Sequence, residues 1–142
     1  MRKRSKYRPR YVQPNPMAYV MAGMMKVADV PTAGVELLAR NEAALDEVIQ
    51  GRGNDDHAEI LITMANCAES LELMKISEGW MDEIKAAQTA VESMRERGHR
   101  TGRFVFTGPE MEIVKDIMTL HTQQLHKCSI RDMEKVLAGK LN

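Results

Sequence analysis

Residues 107–125 read TGPEMEIVKDIMTLHTQQL, and this stretch decides the fold class. Thr107 and Glu110 match a capping box: the Thr107 hydroxyl can accept from the Glu110 backbone N–H, and the Glu110 carboxylate can reach back. Beyond it Met111, Val114, Ile117, Met118, Leu120 and Leu125 recur at the spacing of one helix face. His121 continues that seam and reads as a hydrogen-bonded, partly buried histidine rather than a metal ligand. Ser129-Ile130-Arg131-Asp132 repeats the capping logic for a short last helix through Leu137, closed by Gly139.

Working back toward the N-terminus, Phe104-Val105-Phe106 alternates weakly and predicts a short extended segment lying on the helices. A helix is expected before it, from about Ser77 or Trp80 to Arg97. Its seam is Trp80, Ile84, Ala87, Val91 and Met94, and Gly98 supplies its C-cap. The preceding helix has Ile60, Met64, Cys67, Leu71 and Met74 as its seam, a 4-3-4-3 step that suits helices packed at shallow angles. Another runs from Thr32 to Gln50, with Val35, Leu38, Leu45, Val48 and Ile49 buried and Gly51 as the stop.

Asn15-Pro16 marks one more helix start, an Asn cap with proline at the first helical position. Met17, Val20, Met21, Met24 and Val27 follow at three- and four-residue steps, ending near Pro31. The expectation is an all-α bundle of five to six helices over residues 15–142, in one domain. Residues 1–14, broken by Pro9 and Pro14, read as an extended basic arm.

The chain has 142 residues and 12 methionines; because Met is an adaptable gap-filler, most of these at helical spacing read as core. Cys67 and Cys128 stand alone, in a sequence that shows no secretory signal, and no apolar run approaches the roughly 18 residues of a membrane span. A reduced, cytoplasmic protein that does not enter the membrane is the expectation. A disulfide between the two cysteines is left open.

A formal net charge of zero conceals segregated signs. Residues 1–28 contain seven cations and no acid, residues 29–92 contain 14 acids against four cations, and residues 93–142 are net basic. Such asymmetry points to charged partners. Arg2, Lys3, Arg4, Lys6, Arg8 and Arg10 alternate with Tyr7 and Tyr11, so cations can neutralise phosphates while rings stack on bases. A solvated tail, or one docked on the acidic middle of its own chain, is the competing reading. Arg95, Arg97, Arg100 and Arg103, spaced by Gly98 and Gly102, form the second candidate nucleic-acid contact. Against it, cations in a helix's last turn also complement the macrodipole.

Asp55-Asp56-His57 with Glu59, and His121, His126 and Cys128, offer metal donors without a recognised zinc spacing, so no metal or cofactor is expected. Phosphate-binding glycine loops, nucleophile motifs and paired di-metal helices are all missing, which argues against an enzyme.

Lys3-Arg4-Ser5-Lys6-Tyr7-Arg8-Pro9-Arg10, the Asn15-Pro16 step, Gly102-Arg103-Phe104 and Asp132-Met133-Glu134 resemble small, uncharacterised helical proteins encoded by phages and prophages. The resemblance implies origin on a mobile element and action in a bacterial host's cytoplasm, with no activity to carry over. The sequence reading is then a non-enzymatic interaction protein that modulates a nucleic-acid-associated machine through its arm and helical surface. Its partners are nucleic acid, a host or phage protein, or a second copy of itself. The alternative is a protein-only inhibitor of a host complex, such as a counter-defence factor.

Overall fold

Three helix starts are written by short polar side chains that satisfy otherwise orphaned backbone donors. Asn54 accepts from the His57 N–H at 3.1 Å, Thr107 from Glu110 at 3.3 Å and Ser129 from Asp132 at 3.1 Å. Each is reciprocated, so all three are complete capping boxes. The computed structural model describes residues 33–138, and five helices make up their architecture: α1 (Ala33–Ile49), α2 (Asp55–Leu73), α3 (Met81–Thr101), α4 (Gly108–Lys127) and α5 (Ile130–Leu137). The described residues are thus all-helical, with no strand among them. The basic arm and the helix expected over Met17–Val27 lie outside the described residues.

α2 is the central helix, packed against α1, α3, α4 and α5. Its Ala58, Ala65 and Ala68 are fully buried with Leu61 and Leu71, and these small side chains let neighbouring helices approach closely. One cluster joins Val48, Leu61, Ile84, Val91, Met94, Val114 and Ile117 across the first four helices. A smaller one gathers Leu71, Leu125 and Cys128 beneath α5.

Several expectations shift by a residue or a turn. The α2 seam is centred on Leu61–Ala65–Ala68 rather than on Ile60 and Cys67, which are only half-buried. In α1 the buried side includes Asn41, Ala44, Leu45 and Val48, leaving Ile49 40% exposed, because position 49 lies about 100° round the helix from 48. Trp80 precedes α3 with non-helical ψ and is likewise 40% exposed, so it is no part of the seam. The extended segment at Phe104–Phe106 forms no strand, but both rings pack against the core.

The largest correction concerns Gly98. It is a buried residue inside α3, not the helix terminus. The Phe104 ring occupies the space where a Cβ at Gly98 would stand. The helix ends instead at Gly102, whose φ of 80° is the left-handed conformation that glycine adopts at little cost. Thr101 supports this end, its hydroxyl donating to the Arg97 carbonyl at 2.7 Å and accepting from the Arg103 N–H at 3.2 Å.

Candidate functional site

The second arginine group straddles the C-terminal end of α3, and the helix separates its members. Arg95 points to the start of α2, where Nε donates to Asp55 at 3.0 Å and Nη1 lies 3.2 Å from Glu59. His99, one turn on, approaches the same Asp55 oxygen at 2.6 Å. Arg95, followed by His99, holds the Asp55 carboxyl below its ordinary range. Two residues along a helix is about 200° of rotation, so Arg97 points the opposite way. Its Nη1 donates to the Val105 carbonyl at 2.6 Å, and both terminal nitrogens reach Glu110, at 3.1 and 3.2 Å. Burial pushes the Glu110 carboxyl up, but Arg97 and the Thr107 N–H outweigh it and the net shift is downward.

Arg95 and Arg97 therefore tie α3 to the first turns of α2 and α4. Arg100 and Arg103 are exposed, with no ion pair among the described residues. Of the four candidates, these two are open to an anionic partner. Arg2, Lys3, Arg4, Lys6, Tyr7, Arg8, Arg10 and Tyr11 lie outside the described residues.

The suspected donor sets have other employment. His57 completes the Asn54 capping box by accepting from the Asn54 N–H at 3.1 Å, a role that its position three residues after an Asn encodes. His121 is buried while His126 is exposed, and no group of three metal donors forms among the described residues. Neither cysteine forms a disulfide. Burial, and secondarily Cys128, pushes the Cys67 thiol up to about 12, and its Sγ sits 3.8 Å from the Met133 sulfur.

A buried polar chain escaped the sequence reading. Gln124 Nε2 donates to the Ala68 carbonyl at 3.1 Å and to Ser77 Oγ at 2.9 Å. The carbonyl can only accept, which fixes the amide orientation and makes Gln124 Oε1 the acceptor for His121 Nδ1 at 3.0 Å. Ser77 in turn donates to Glu72 at 2.6 Å, and the other Glu72 oxygen accepts from the Trp80 N–H. These directed bonds pin the α2–α3 connection onto α4. The only sequence cue is Gln124 lying one residue before Leu125 on the inner side of α4. Pairing across 47 residues has no local signature.

The face of α2 beside α1 is incompletely covered. One cleft is lined by Leu37, Arg40, Asp56, Glu59 and Ile60, a second by Met64, Cys67, Ser70, His121, Met133 and Val136. Both share Leu37, Asn41 and Thr63 as walls, so they join into one groove. Among the described residues no helix is long and apolar enough to cross a membrane. Comparison with protein-family models, with curated proteins and with solved structures finds no match.

Proposed function

We propose that this chain is a non-enzymatic, phage-encoded interaction protein that modulates a nucleic-acid-associated machine. The observation that carries this reading is the charge of its leading segment: seven cations and no acid in residues 1–28, interleaved with Tyr7 and Tyr11. Arg100 and Arg103 support it as a second, exposed pair of cations on the folded body. The arm supplies electrostatic attraction with little sequence preference, while its tyrosines stack on exposed bases.

Titration of labelled single-stranded DNA across a salt series tests the proposal. Six arm cations up to Arg10 on phosphates give a log K against log salt slope of about −4 to −5. Replacing Arg2, Lys3, Arg4, Lys6, Arg8 and Arg10 by glutamine should remove the arm's share of that dependence, leaving only the shallow slope from Arg100 and Arg103, with the helical melt unchanged. Undiminished binding by the neutralised chain would remove the arm from the contact.

The acids displayed along the body, among them Glu36, Glu42, Asp46, Asp82 and Glu92, favour one second reading, that of a protein-only inhibitor. Affinity capture from a bacterial lysate treated with nuclease separates the two. A single stoichiometric protein partner that survives nuclease supports the inhibitor, and loss of every partner supports nucleic acid.

A further inference from the structure

We propose that Cys67, Met133 and His121 form a binding site for Cu(I) in the cleft bounded by α1, α2, α4 and α5. All three residues line that cleft. Cys67 Sγ and Met133 Sδ already stand 3.8 Å apart. With metal–sulfur bonds of about 2.3 Å, that spacing gives a sulfur–metal–sulfur angle of about 110°, close to the tetrahedral value. Both residues are half-buried rather than sealed in the core, so an ion can reach the sulfurs through the cleft.

The third donor is oriented by the buried polar chain. His121 is 2% exposed, and its Nδ1–H donates to Gln124 Oε1 at 3.0 Å. Gln124 Nε2 is committed to the Ala68 carbonyl and to Ser77, so the amide cannot turn to offer a donor instead. The imidazole is thereby fixed as the tautomer with a bare lone pair on Nε2. Nε2 makes no hydrogen bond among the described residues, where no fully enclosed side-chain nitrogen lacks a partner, so this lone pair meets the cleft. A ring whose other nitrogen donates to a fixed oxygen is the arrangement that aims imidazole at a metal. Burial also lowers the His121 pKa, which keeps Nε2 unprotonated at neutral pH, as ligation requires.

Softness and charge select the ion. Thiolate and thioether favour Cu(I), and imidazole accepts it. No group of three His, Cys, Asp or Glu side chains forms among the described residues; the donor that completes this set is a thioether. Binding replaces the Cys67 S–H bond by an S–Cu bond and releases the proton to solvent, with no change of oxidation state. Burial pushes the free thiol up to about 12, because apolar surroundings penalise an isolated thiolate. One thiolate with one Cu(I) is neutral, so the same walls, Met64 and Val136 among them, accept the complex. Zn(II) in that place would hold an uncompensated positive charge away from water.

Anaerobic titration of the full chain with Cu(I) buffered by bicinchoninate tests the site. The first equivalent of copper should pass from the buffer to the chain, and X-ray absorption should show two sulfurs and one nitrogen around it. Met133→Leu conserves side-chain volume and should fold normally. It should weaken Cu(I) binding about tenfold or more, and Cys67→Ala should abolish the transfer. Undiminished binding by either variant, with its helical melt intact, would place the copper elsewhere and overturn the inference. Three sulfurs around the copper, or Zn(II) held as tightly as Cu(I), would also overturn it.

Discussion

At Gly98 a single missing side chain makes room for an aromatic ring, and the consequence is measurable. Gly98→Ala raises intrinsic helix propensity by roughly 1 kcal/mol, but its Cβ would collide with the Phe104 ring. Overpacking of this kind costs about 1–3 kcal/mol, so the net expectation is destabilisation in a urea melt. The loss should shrink in the Phe104→Leu background, where the ring is gone. An unconditional gain of stability would mean the ring is easily displaced. A glycine that packs against a ring and a glycine that ends a helix look alike in one dimension, and this is why the α3 terminus is misread by about one turn.

His121 yields a second test at the same scale. Burial lowers its pKa, with the Gln124 hydrogen bond opposing, so the folded protein holds it neutral. Its contribution to stability is complete above the unfolded value of about 6.5 and is lost as pH falls through the depressed folded value. Unfolding free energy should decline below about pH 6.5 by at most about 1.4 kcal/mol per pH unit from this group. The decline in this window should flatten in His121→Gln. The depressed carboxylates Asp55, Glu69 and Glu110 lose their contributions only at lower pH, through and below the ordinary carboxylate range.

Among the elements, α4 shows how one side chain can serve two helices. Glu110 caps its own helix through the Thr107 N–H at 2.8 Å and also receives Arg97 from α3. Thr107→Ala removes only the cap and should cost about 1 kcal/mol. Glu110→Ala should cost more, about 2–4 kcal/mol, because it leaves the partly buried Arg97 without its anion. Equal costs for the two variants in chemical denaturation would show that the ion pair contributes nothing. The capping box was legible because its partners are three residues apart; the Arg97 pairing spans 13 residues and waits on the α3–α4 turn.

Across the whole molecule, charge is sorted by structural role. Arg95 and Arg97 brace helix ends, whereas Arg100 and Arg103 face outward from the same end of α3. Arg100→Ala and Arg103→Ala should each reduce the magnitude of the salt slope for DNA binding by about 1, with melting unchanged. Arg95→Ala should do the reverse, lowering stability through the lost Asp55 and Glu59 contacts while sparing the slope.

Local chemistry is what the amino-acid order alone determined: the Thr107 and Ser129 caps, the stop at Gly51, the helical period from Ala33 to Leu137 and the segregation of charge. Each depends on groups within about one turn, or on composition. Tertiary structure decided which face of α2 lies at the centre, where α3 ends, which arginines are spent on internal ion pairs, and that Gln124 bridges His121 to Ser77. Those outcomes depend on which surfaces meet when helices pack. A hydrophobic pattern of three- and four-residue steps defines a face only to within about one residue, and the neighbours select the rest.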